Sequence, residues 1–82
     1  MEPPPTHEWP HPDPAVELKI TLNPAHVMIQ QVFGRDSFGA ACSTPDFVAG
    51  DTDVARHTYQ LIVQHFGEAT ARQVRQRAAE LL

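Results

Sequence analysis

Six of the eight prolines in this chain fall within its first fourteen residues, in the stretch MEPPPTHEWPHPDP. Each proline removes a backbone donor and fixes φ, so neither a regular helix nor a central strand is expected there. The chain is only 82 residues long, which allows one small domain. Residues 1–15 therefore read as an extended arm, and 16–82 as the compact part. Charge follows the same division. The net charge is −4, and residues 1–18 hold Glu2, Glu8, Asp13 and Glu17 with no base, while the remainder holds six acids and six bases. Residues 19–82 are therefore neutral, and the first 18 residues carry the acidity. Trp9 is the one large apolar group of the arm, and the cost of leaving an indole in water predicts that it pins the arm onto the domain.

Several classes are set aside by what is missing. The longest strongly apolar runs, Val27-Met28-Ile29 and Leu61-Ile62-Val63, are far short of the ~20 residues of a membrane span. No base precedes Lys19 and no apolar stretch follows the N-terminus, so a secretory leader is not expected. A lone Cys42 makes neither an internal disulfide nor a multi-cysteine zinc site, which suits a reducing compartment such as the cytoplasm.

From Val16 to Leu22 apolar Val16, Leu18, Ile20 and Leu22 alternate with Glu17, Lys19 and Thr21, the period of a half-buried strand. Asn23-Pro24 then reads as an N-cap followed by a proline at the first helical position. The stripe Ala25, Met28, Ile29, Val32 and Phe33 predicts a helix over 24–33, closed by Gly34. The β-branched Val27, Ile29 and Val32 leave a second strand as the alternative. Residues 34–50 read as a long connection, within which Phe38, Ala40 and Cys42 alternate and suggest a short strand near 38–44 pairing with 16–22. Asp51, Thr52 and Asp53 open a helix with the stripe Ala55, Tyr59, Ile62 and Phe66. The stripe changes phase at Gly67, which marks a break before a last helix on Ala71, Val74, Ala78 and Leu81. The expected fold is a small α+β domain of one strand, or two, and three helices. An all-α bundle with an extended N-terminal arm is the alternative. The expected core is Leu18, Ile20, Met28, Val32, Phe33, Tyr59, Ile62, Phe66, Val74 and Leu81.

Little in the chain points to catalysis. Cys42 has no Gly-rich oxyanion loop or matched acid beside it and reads as a buried apolar filler. His57 and His65 lie eight apart on one helix, and His7 and His11 are separated by Pro10, so no metal-ligand spacing is present. No cofactor, metal or catalytic residue is expected. The arm lacks a P-x-x-P motif, although prolines 10, 12 and 14 favour polyproline II. Arg72, Arg75 and Arg77 lie with Gln73 and Gln76 on the last helix, after a short glycine-containing turn. A helix-turn-helix nucleic-acid reader using Thr70, Arg72, Gln73, Arg75 and Gln76 is therefore the alternative function, disfavoured by the acidic chain.

The function expected from these residues is a small non-enzymatic interaction module, an accessory subunit, inhibitor or regulator of a larger protein. Trp9 in the acidic arm, an open edge on the 16–22 strand with Glu17, Lys19 and Thr21, and a long loop carrying Phe38 and Phe47 are the candidate contacts. A homodimer is a further expectation, because so small a core gains from completion by a second copy.

Overall fold

Leu18, Ile20 and Leu22 are buried on one side of strand β2 (Leu18–Leu22), as their alternation requires. The computed structural model describes residues 6–13, 15–31 and 39–82. Three more strands join β2: β1 (His7–Pro10), β3 (His26–Gln31) and β4 (Gly39–Ser43). They form one antiparallel sheet in the order β1-β2-β3-β4. Three helices come after them: α1 (Thr44–Ala49), α2 (Asp53–Phe66) and α3 (Glu68–Glu80). The α+β class stands, while the single strand and its possible second become four.

The largest correction concerns residues 24–33, expected as a helix, of which 26–31 form strand β3. The cause is a turn. The Asn23 side-chain oxygen accepts from the backbone N–H groups of Ala25 and His26, each at 2.8 Å, and the Asn23 N–H donates to the His26 carbonyl at 3.0 Å. An asparagine that would cap a helix instead closes the tight β2–β3 turn, with Pro24 at its centre. Strand alternation then buries Val27 and Ile29 and leaves Met28 only half-buried on the opposite face. Val32 and Phe33 lie outside the described residues.

Pairing differs too. The 38–44 strand exists as Gly39–Ser43, but its partner is β3, with Ile29 opposite Ala40, and not the 16–22 strand. Residues 7–10, read as part of the extended arm, form the outer strand β1 on β2. Trp9 lies opposite Ile20, half-buried against the core, which pins this segment as its indole predicts.

Side chains from alternate positions make the helix-facing side: Trp9, Ile20, Ile29 and Ala40 in one row, Leu22, Val27 and Cys42 in the next. Helix α2 lies over β4 and β3, α1 over the same strands, and α3 stacks on α1 and α2. Phe47, Ala55, Ile62, Ala71, Val74 and Ala78 close the core from the helices. Of the expected core, Leu18, Ile20, Ile62 and Val74 are buried, whereas Tyr59, Phe66 and Leu81 are partly so. The other side of the sheet carries Glu8, Thr21, Met28 and Ala41 in register, and no described helix covers it.

Helix ends agree closely with the sequence. Thr52 caps α2 through the Ala55 N–H at 3.1 Å, and Gly67, at φ 96°, separates α2 from α3. The far end of α2 is capped from the arm. His11 Nδ1 accepts from the Asp13 N–H at 3.0 Å, which leaves Nε2 as the donor to the His65 carbonyl at 2.6 Å. The His11 ring also packs on Phe66, with centroids 5.2 Å apart.

Two substitutions check these assignments. Ile29→Ala should cost about 3 kcal/mol in urea unfolding and Met28→Ala about 1, since only Ile29 is in the core; equal costs would support the helical stripe instead. His11→Phe keeps the ring contact but loses the cap, and should cost about 1 kcal/mol; no change would mean that the histidine does not hold the α2 terminus.

Candidate functional site

The described hydrogen bonds decide which backbone groups of the sheet face outward. In an antiparallel ladder the N–H and C=O of alternate residues point to the same neighbour. The Thr44 N–H donates to the Ala25 carbonyl at 3.0 Å, in the pairing register of β3 and β4. Cys42 and Ala40 therefore also point at β3, and the backbones of Gly39, Ala41 and Ser43 point away from it. Among the described residues, no hydrogen bond reaches the outward groups of Gly39 or Ala41.

The same reasoning at β1 gives a different edge. The His11 N–H donates to Leu18 at 3.0 Å, so Trp9 and His7 face β2, and Glu8 and Pro10 face outward. Pro10 has no N–H, and the Glu8 carboxylate pairs with Lys19 at 3.5 Å. Proline and charge on an outer strand are devices that discourage further pairing. β4, with the sequence GAACS, has neither.

Beside this bare edge lies a cleft of about 340 Å³ between Gly39–Ala41 on one wall and Val54, His57 and Thr58 on the other. The first turns of α2 form its second wall because Thr52 starts the helix directly above β4. Val54 is 56% exposed, unusual for a valine on a helix whose neighbours Ala55 and Thr58 are buried. Asp53 lines the mouth, its side chain 97% exposed and 2.6 Å from Arg56. Small side chains at residues 39–41 let another backbone approach closely. A side chain at Gly39 would be tight, since a Cβ there would lie 3.1 Å from the Ile29 carbonyl oxygen.

Cys42 lies beneath this cleft, 7% exposed. Burial pushes its thiol above the ordinary value, the Asp46 carboxylate adds to the rise, and a hydrogen bond with Thr58 opposes it. The group is thus kept as a neutral thiol, the wrong form for a nucleophile. Every buried side-chain polar atom among the described residues has a partner, and no three His, Cys, Asp or Glu side chains there converge as metal ligands.

The residues singled out in the sequence are scattered. β2 is paired on both sides, so the 16–22 strand has no open edge. Glu17 is exposed ahead of β2, and Lys19 and Thr21 lie on the sheet face away from the helices, where Thr21 is buried and its Oγ1 accepts from Gln30 at 3.4 Å. Phe47 is not a loop residue: it is buried on α1 with its ring 6.0 Å from Tyr59. Phe38 lies outside the described residues. On α3, Arg72 pairs with Glu68 at 2.8 Å, Arg75 lies 5.2 Å from the centre of the Tyr59 ring, Gln73 and Gln76 are exposed, and Thr70 is half-buried. Ala41, Asp53, Val54 and His57 were not indicated by the sequence. For Ala41 the only signal is the absence of charge and proline in GAACS.

Comparison with protein families, with curated proteins and with solved structures finds no match to this chain. No helix among the described residues is long and apolar enough to cross a membrane.

The buried thiol yields a prediction. Native Cys42 should react with a disulfide reagent at neutral pH at least about tenfold slower than in denaturant; equal rates would place the thiol at the surface. Its raised value also gives a sign. Above the ordinary thiol value the unfolded chain ionises and the folded one does not, so this contribution to stability is lost as pH rises, and Cys42→Ala should flatten that alkaline decline.

Proposed function

We propose that the protein is a small non-enzymatic interaction module that binds a larger protein by accepting one of its strands along β4. The observation that carries this reading is the outward row of Gly39 and Ala41, unpaired among the described residues and set beside an apolar cleft. The opposite edge, in contrast, is blunted by Pro10 and Glu8. An added strand gains main-chain hydrogen bonds from the edge and side-chain specificity from the cleft. A regulator or inhibitor that works by occupying a partner's surface needs no more chemistry than this.

The nucleic-acid reading has less support. Of the three α3 arginines, Arg72 and Arg77 are paired with Glu68 and Glu80 and Arg75 lies over an aromatic ring, so few free cations face outward for phosphates. The link between α2 and α3 is Gly67 alone, shorter than the three- or four-residue turn of a helix-turn-helix.

Ala41→Pro tests the proposal. The Ala41 N–H faces away from β3, so the proline removes a donor from the edge and none from the sheet. Partners captured from host extract should be lost with Ala41→Pro and retained by Arg72→Glu/Arg75→Glu after nuclease treatment, with circular dichroism unchanged in both. Loss only in the arginine variant, or only after nuclease, would favour the nucleic-acid reading.

A further inference from the structure

Resting on the strand-addition reading, the geometry points to the chemistry of the segment that β4 accepts: an extended segment carrying an aliphatic side chain opposite Ala40 and basic residues two positions to either side of it, on the same face of the strand. Ala40 points its side chain to the helix side of the sheet, as do Ile29 and Trp9 in the same row. The residue of an added strand directly opposite Ala40 shares that side. It therefore enters the cleft and meets the exposed methyl groups of Val54, with Thr58 behind. The flanking residues of the added strand point to the face away from the helices, beside the small Gly39 and Ala41.

Charge selects among the occupants. Asp46, in the first turn of α1, and Asp53, in the first turn of α2, are both exposed. Asp53 lines the cleft, and Asp46 acts electrostatically on Cys42 of β4. Against these carboxylates stands Arg56, already 2.6 Å from Asp53. Among the described residues the surroundings of the edge are thus net negative, and a lysine or arginine in the incoming strand is favoured there. A second copy would instead bring the same carboxylates together. That disfavours edge-to-edge self-pairing of an uncharged strand that is otherwise well suited to it.

The test uses the full chain, ¹⁵N-labelled, and the probe acetyl-Gly-Lys-Thr-Val-Thr-Lys-Gly-amide, whose palindromic order fits the edge in either direction and puts both lysines on the same face as the central valine. A second probe has glutamate in place of both lysines. The lysine probe should shift the amides of residues 39–43 and 54–58 and bind about threefold or more tightly than the glutamate probe. The gap should narrow in Asp53→Asn and in about 0.5 M salt. Equal binding of the two probes, with both lost in Ala41→Pro, overturns the basic segment and leaves strand addition standing. Lysine-probe binding that survives Ala41→Pro overturns strand addition itself. Failure of the lysine probe to bind overturns the inferred segment. A two-chain mass by light scattering that falls to one chain in Ala41→Pro makes a second copy the occupant, which also overturns it.

Discussion

The contact on which this structure depends most is the Asn23 carboxamide accepting two successive backbone N–H groups at the β2–β3 turn. It sets the register of β2 on β3, and that register decides which side chains face the helices. Thr44 then ties the turn to β4 and α1. Its hydroxyl donates to the Asn23 carbonyl at 2.7 Å and its N–H to Ala25, so the end of β4 and the start of α1 are held against the turn. With both contacts in place, Val27 and Ile29 are committed to the core and the outward row of β4 is committed to the edge. A slip of one residue would reverse both assignments.

The two outer strands then acquire opposite characters from their composition. β1 carries the only proline within a strand among the described residues, at a position where the missing donor faces outward. β4 is made of small uncharged residues and lies beneath the first turns of α2. The helix spans the domain between two tasks. Its first turns wall the cleft, and the His65 carbonyl in its last turn is held by His11 next to β1. Residues 7–11 are thereby part of the fold, because without them β2 would lose its partner on one side and the His65 carbonyl its donor.

How legible this was in the sequence depended on whether a residue's signal had one physical meaning. Thr52 and Gly67 did, and α2 and α3 match their expected bounds closely. Asn23-Pro24 did not: the same side chain that caps a helix by accepting an N–H closes a hairpin by accepting two. The stripe from Ala25 to Phe33 fitted a helical period by coincidence, and β-branched Val27 and Ile29 were the better guide. In GAACS the side chains are too small and too similar for alternation to show. Strand β4 was therefore visible only in part, and its free edge, set by pairing with distant residues, was not visible at all. Phe47 was misplaced for a related reason. A short helix begun by Ser43 and Pro45 and ended by Gly50 resembles a loop in composition.

Everything proposed for β4 requires that it turn one row of its backbone to β3 and leave the other open. Residue-resolved amide hydrogen exchange of the native chain reads those two rows separately. Alternation is the expected result: Ala40, Cys42 and Thr44 protected, and Ala41, with Gly39 and Ser43, exchanging at least about tenfold faster. Protection of Ala41 equal to that of Cys42 would mean that the edge is already paired or the register is shifted, and would contradict the open row.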